Sequence, residues 1–237
     1  MKIEFHTFTL PNGLRVIHKE VPRSASHVAL VVNAGSRDEL SDEAGVAHFI
    51  EHCLFKGTEK RKTFHILNRL ERVGGELNAY TTKEETWISA SFLERELSRA
   101  IELISDIAFK STFPEKEIAK ERDVILDEIA SIKDNPSDVI FDDFEEKLFG
   151  IHPLGRTILG TADSVKALSR KDIKGFVERN YRPEEMVFAS VGSTPFKKFK
   201  KICEKYLGEF KGLSGKVQRV APEPVALFNE RIEQDTH

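Results

Sequence analysis

Residues 47–58 read AHFIEHCLFKGT, and three side chains in that run could do chemistry. His48 and His52 are four residues apart, with Glu51 immediately before the second. On a helix this spacing puts both imidazoles on one face, one turn apart, where they can share a metal ion. Glu51 lies three residues after His48 and projects to the rim of the same site. Zinc in hydrolytic enzymes keeps three protein ligands and a water, whose pKa it lowers to about 7. A carboxylate within hydrogen-bond reach can take that proton and return it to a leaving amine. His-x-x-Glu-His holds these parts in the reverse of the commoner zinc-protease order. With 8 histidines in 237 residues, chance supplies the pattern roughly 0.03 times per chain. The competing reading is a helix with two surface histidines and an ordinary salt-bridging glutamate. Phe49, Ile50, Leu54 and Phe55 weigh against it. They make the helix largely apolar, so its polar triad is at least partly buried and needs partners.

A third ligand must come from elsewhere. The helical pattern KEIAKERDVILDEIASIK (116–133) carries Glu121 and Glu128 seven residues apart, on one face. Ile125 and Ile132 continue that stripe, so the two acids stand where core residues are expected. Glu117, Asp123 and Asp127 surround them, which also fits a solvated charged face. Periodicity alone does not choose between the acids.

The elements that must position these residues alternate strand and helix. Residues 3–9 and 14–20 read as strands around LPNGL (10–14), where Pro11, Asn12 and Gly13 carry hairpin-turn chemistry. HVALVVNAG (27–35) is nearly all apolar and is expected at the centre of a sheet. Ser41 is expected to cap the histidine helix, which runs to about Lys56 and stops at Gly57. Thr63–Val73 gives a second helix, ended by Gly74 and Gly75. Residues 76–93 alternate as two strands, with Thr82, Thr86, Ser89 and Ser91 expected on one side. Helices follow at about 95–110, 114–133 and 136–148, with Pro114 and Pro136 in first turns. Ser169–Asp172 resembles a capping box. MVFASVG (186–192) is a last strand, and a helix follows near 195–207. The expected fold is α+β, a mostly antiparallel sheet with helices on one side.

Composition narrows the classes. The chain is 40% hydrophobic and 32% charged, with net charge -3 and pI near 6.3. That balance suits a globular enzyme and gives no basic surface for nucleic acid or anionic membrane. No apolar run approaches the roughly 20 residues of a membrane span, and MKIEFHTFTL lacks a signal-peptide plan. Cys53 and Cys203 are too few to hold zinc alone. Two free thiols in a reducing, cytoplasmic compartment are expected rather than a disulfide.

Longer motifs extend over nearly the whole chain: LPNGLRV (10–16), NAGSRDE (33–39), GVAHFIEHCLFKGT (45–58), GGELNAYTTKEET (74–86), ERDVILDEI (121–129) and HPLGRTILG (152–160). Together they resemble the pitrilysin family of zinc peptidases, the inverzincins. Within it they resemble the branch holding the mitochondrial processing peptidase β subunit and its bacterial relatives. The resemblance implies His48, His52 and Glu128 as ligands of one Zn2+ ion and Glu51 as general base. It makes Glu121 an outer partner of the site, of the kind that orients histidine ligands. Glu128 follows His52 by 76 residues, in keeping with the family's spacing.

LNAYT resembles the edge strand on which these enzymes lay the substrate main chain by β-augmentation. Asn78, Ala79 and Thr81 are therefore candidates for substrate binding, against the alternative of a plain edge strand. His152 and Arg156 read as structural, and Cys53 as packing. Family members close two such halves around the substrate like a clam shell, and the second half supplies an Arg and Tyr pair. The resemblance thus implies a zinc-binding endopeptidase half over 1–212 and a connector over 213–237. A C-terminal half or partner subunit would complete it, with peptides or unfolded protein as substrate. A homodimer is a further arrangement. The alternative is a non-catalytic interaction or scaffold subunit of the same fold, which the intact triad disfavours. A purely structural zinc is also disfavoured, because such sites fill all four positions.

Overall fold

The computed structural model describes residues 4–211 and 218–223. Strand β1 (His6–Thr9) and strand β2 (Arg15–Glu20) form an antiparallel hairpin. Leu10 N–H donates to Leu14 O and Gly13 N–H to Leu10 O, both at 2.9 Å, and Gly13 takes φ +89°, which suits glycine. Asn12 Nδ2 anchors the turn to the carbonyls of Leu207 and Phe210. Strand β3 (Ala25–Val32) alternates exposed or half-buried with buried residues along its length. Strands β4 (Glu76–Thr81), β5 (Thr86–Leu93) and β6 (Met186–Gly192) complete a six-stranded sheet in the order β1-β2-β6-β3-β5-β4. Only the β2–β6 pairing is parallel. The apolar β3 is central as expected, bonded to β5 and β6.

One face of the sheet is the core face. Val16, Val28, Leu30, Val32, Ile88, Ala90, Phe92, Met186 and Phe188 are buried on it. Helix α3 (Leu97–Lys110) lays Leu97, Ala100, Ile101, Ile104 and Ala108 on this side, against β3 and β5. Helix α8 (Phe196–Leu207) packs on α3, buries Phe199, Cys203 and Leu207, and stacks Phe199 on His18 of β2 with ring centroids 4.2 Å apart. Both cysteines are free and buried. No helix among the described residues is long and apolar enough to cross a membrane.

Two local expectations are corrected. Thr86 is fully buried and donates to Ala34 O at 2.8 Å, whereas Ser89 and Ser91 are half-buried on the opposite face. Strand parity separates positions 86 and 89, and Thr82 lies beyond β4 in the turn. Helix α1 spans only Val46–Cys53 and starts after Gly45, not Ser41. Gly45 takes φ +90°, so the helix cannot extend back through it. Helix α2 (Thr63–Glu71) runs as expected into the Gly74–Gly75 turn.

Helix α4 (Glu115–Lys133) packs on α1. Helix α5 (Pro136–Phe149) starts with Pro136 in its first turn, capped by the Asn135 side chain. Helix α6 (Ala162–Ala167) was not foreseen; Thr161 and Ser164 form its capping box. Helix α7 (Arg170–Asn180) carries the expected Ser169–Asp172 box and also packs on α1. Of the expected connector, only 218–223 falls among the described residues. Arg219 folds back there and binds Asp38 Oδ2 at 2.7 Å, Asn33 Oδ1 at 2.9 Å and Glu84 O at 2.7 Å.

Candidate metal centre

Helix α1 owes its position to its apolar residues. Val46, Ala47, Phe49, Ile50 and Cys53 are buried, pinning the helix between the sheet and helices α4 and α7. The remaining stripe presents His48, Glu51 and His52. The imidazole rings meet edge to face, with centroids 4.7 Å apart. Helix α4 brings Glu128 over them, with Oε2 3.7 Å from His48 Nε2 and 3.4 Å from His52 Nε2. One ligand atom from each of the three residues lies within 4.8 Å of the others.

Donors about 2.0–2.1 Å from a tetrahedral zinc stand about 3.3–3.4 Å apart. The two observed separations are close to that. Two imidazole nitrogens and one carboxylate are also a donor set that suits zinc. The residues present therefore fit the ion. Burial, and then the neighbouring His52, hold the pKa of His48 down to about 4. Its ring is neutral near pH 7, as a ligand must be.

Glu121 sits one step behind the cluster. Its Oε2 is 3.3 Å from His52 Nδ1 and its Oε1 is 2.7 Å from Lys56 Nζ. This contact turns His52 Nε2 toward Glu128 and fixes its tautomer. Glu51 is half-buried, and burial raises its pKa above the usual carboxylate range. Thr81 and His52 act the other way, favouring the charged form. Burial pushes the Cys53 thiol up to about 12, so it remains protonated in the core.

The substrate-binding candidates all lie on β4, and their side chains divide between its two faces. β4 is the edge strand, bonded to β5 on one side. Ala79 and Thr81 point to the α1 side, and Thr81 lies against Glu51. Asn78 points to the opposite face, and its Oδ1 accepts the Ala79 N–H at 2.9 Å. His152 accepts from Leu154 N–H, and Arg156 donates to the carbonyls of Glu39 and Leu40, as structural residues do.

Sequence reasoning missed Glu39. It is buried, yet its carboxylate accepts the N–H groups of Gly45 and Ala47 at 3.1 and 2.9 Å. An acid closing NAGSRDE, just ahead of a glycine-started helix, was the available signal.

Fold and site together define an α+β module in which two imidazoles and a carboxylate could hold one metal ion, with a further carboxylate, Glu51, beside them. The family described as Insulinase (Peptidase family M16) matches residues 15–162, and the family's inactive domain matches 167–236. The chain belongs to this peptidase family. An uncharacterized zinc protease of Mycobacterium leprae is 42% identical over 84% of this chain and 45% of its own length. The mitochondrial-processing peptidase subunit beta of Saccharomyces cerevisiae is 36% identical over 94% of this chain and 48% of its own. The chain thus spans about half the length of these curated relatives. A protease from Helicobacter pylori superposes with TM-score 0.87 at 26% identity, covering 94% of this chain and 54% of that one. The first half of the periplasmic protease PqqL from Escherichia coli gives TM-score 0.84 at 26% identity over 92% of this chain and 48% of that one.

Proposed function

We propose that this chain is the metal-bearing half of a zinc-dependent endopeptidase. The observation that carries the reading is the convergence of His48, His52 and Glu128 within 4.8 Å, with Glu51 beside them. His48 Nε2, His52 Nε2 and a Glu128 carboxylate oxygen would hold one ion. A zinc ion there would supply Lewis acidity, lowering the pKa of water to about 7 and polarising a carbonyl. Glu51 would take the proton from the attacking water on a carboxylate oxygen, then deliver it to the leaving amine nitrogen. Thr81 lies beside that carboxylate and favours its charged form. The open edge of β4 would bind an extended peptide by main-chain hydrogen bonds, with Ala79 and Asn78 along it.

A second homologous half, or a partner subunit, would complete the substrate chamber. Support comes from the length of the relatives, about twice this chain. A reducing, cytoplasmic setting belongs to the same proposal and is compatible with the unpaired Cys53 and Cys203. The assembled ligand triad disfavours a scaffold role.

The test is metal content and cleavage of a quenched peptide, with and without the second half. Glu51→Gln should keep zinc at wild-type stoichiometry and lose turnover by 100-fold or more, about 10²–10⁴ being the usual worth of a general base. Full turnover in that variant removes Glu51 from its role. Wild-type protein that takes up no zinc removes the metal site.

A further inference from the structure

Helix α1 is short, and its first turn has no cap of its own. Gly45 precedes it with no side chain to offer, and the early N–H groups of a helix need acceptors. Glu39 supplies them from six and eight residues upstream, spanning Gly45 N–H and Ala47 N–H with its two carboxylate oxygens. Arg156 Nη1 holds the base of this arrangement, donating to Glu39 O at 3.3 Å and Leu40 O at 3.4 Å. Gly160 closes it from the other side. A Cβ on Gly160 would lie 2.5 Å from Ala44 O, and one on Gly45 would lie 2.5 Å from Leu159 O. The helix start is therefore clamped between the two oxygens of a buried carboxyl group and a glycine–glycine contact.

The two histidines depend on this clamp unequally. His52 Nδ1 meets Glu121, so an outer partner orients its ring. His48 Nδ1 is buried and has no hydrogen-bond partner among the described residues. Among the described residues no hydrogen bond to Nδ1 fixes the His48 ring. Its Nε2 is placed by packing, including the edge-to-face contact with His52, and by the main chain that carries it, next to Ala47. We propose that Glu39 is a positioning residue for the metal centre. By gripping Gly45 and Ala47 it sets the rotation and height of the first turn of α1, and through them the His48 donor atom. The inference rests on the metal-site reading above and adds to it the group that takes the place of an outer partner for His48.

The test is zinc affinity of the 237-residue chain by chelator competition, together with its Co(II) absorption spectrum. Glu39→Gln keeps one acceptor oxygen but turns an amide NH2 toward the second N–H. Glu39→Asp is a methylene too short to span both. Each should weaken zinc binding by about 10-fold or more, the usual effect of losing an outer partner, and shift the Co(II) bands. A destabilised control remote from α1, Phe199→Leu, should leave both readouts unchanged while the protein is folded. Arg156→Ala, at a half-buried site, should weaken binding about threefold or more.

A folded Glu39→Gln protein with wild-type affinity and an unshifted spectrum overturns the proposal. If neither Glu39 variant folds, Arg156→Ala decides alone, and wild-type affinity there overturns it equally. Wild-type chain without measurable zinc binding sinks instead the metal-site reading on which the proposal rests.

Discussion

Glu121→Gln tests the arrangement behind the metal centre most directly. The side chain is buried at 8% exposure and bridges two helices, with His52 Nδ1 at 3.3 Å on one oxygen and Lys56 Nζ at 2.7 Å on the other. Glutamine keeps the volume and removes the charge. Its single acceptor oxygen can serve one of the two donors, and its NH2 group then faces the other. Lys56 is about a quarter exposed and can turn to water. The oxygen is therefore free for His52, and the fold should survive at a cost of about 1–2 kcal/mol. The metal site should suffer more. A neutral partner makes the His52 imidazole a weaker donor, and outer-partner losses typically weaken metal binding 10- to 100-fold, about 1.4–2.7 kcal/mol.

The assay is zinc competition against a chromophoric chelator near neutral pH, with unfolding followed separately in metal-free protein. Asp123→Asn, an exposed acid on the same helix, controls for general charge loss and should stay within twofold of wild type. If Glu121→Gln binds zinc as tightly as Asp123→Asn, the claim that this carboxylate tunes His52 is wrong.

Other consequences follow from the same contacts. Gly160→Ala should destabilise the fold, because the new methyl lands 2.5 Å from Ala44 O at a residue with φ +72°. Left-handed strain and the backbone shift together should cost about 2–4 kcal/mol. That corresponds to about 5–15 °C in Tm by calorimetry, and an unchanged melting curve would show that the clamp is loose. Burial pushes the Glu39 carboxyl up to about 8, against the pull of Ala47 N–H, Gly45 N–H and Arg156. The folded state therefore holds a proton that the unfolded chain gives up near pH 4.3. This contribution is complete below that value and is lost as pH rises to about 8. The His48 contribution, with pKa about 4 folded and about 6.5 unfolded, is common to wild type and Glu39→Gln and cancels in their difference. Urea unfolding of metal-free protein between about pH 4.3 and about 8 should show stability falling by up to about 1.4 kcal/mol per pH unit relative to Glu39→Gln. Parallel pH profiles for the two proteins would contradict the burial argument.

Much of this was legible in the residues. A nearly unbroken apolar run marked β3 as central, because a strand bonded on both sides and covered by helices favours β-branched, apolar residues. The Pro-Asn-Gly run set the β1–β2 turn, and Ser169–Asp172 set the start of α7, because turn and cap chemistry acts over three or four residues. The start of α1 was misread for a related reason. Ser41 has a capping residue type, but the acceptor in the fold is Glu39, reaching across a turn to Gly45 and Ala47. Local rules do not see a cap supplied from that distance. Asn78, Ala79 and Thr81 were legible as one edge strand, but which face each side chain takes followed only from the pairing of β4 with β5.

The donor inventory was complete in the primary structure: two imidazoles four residues apart, a carboxylate between them, and two acids seven apart on another helix. Seven residues carry a helix about 10.5 Å along its axis, so Glu121 and Glu128 share a face but not a place. Which one meets Nε2 and which stands behind Nδ1 depends on where α4 crosses α1. The packing of Ile125 and Ile129 into the core fixes that crossing, and no periodicity within either helix contains it.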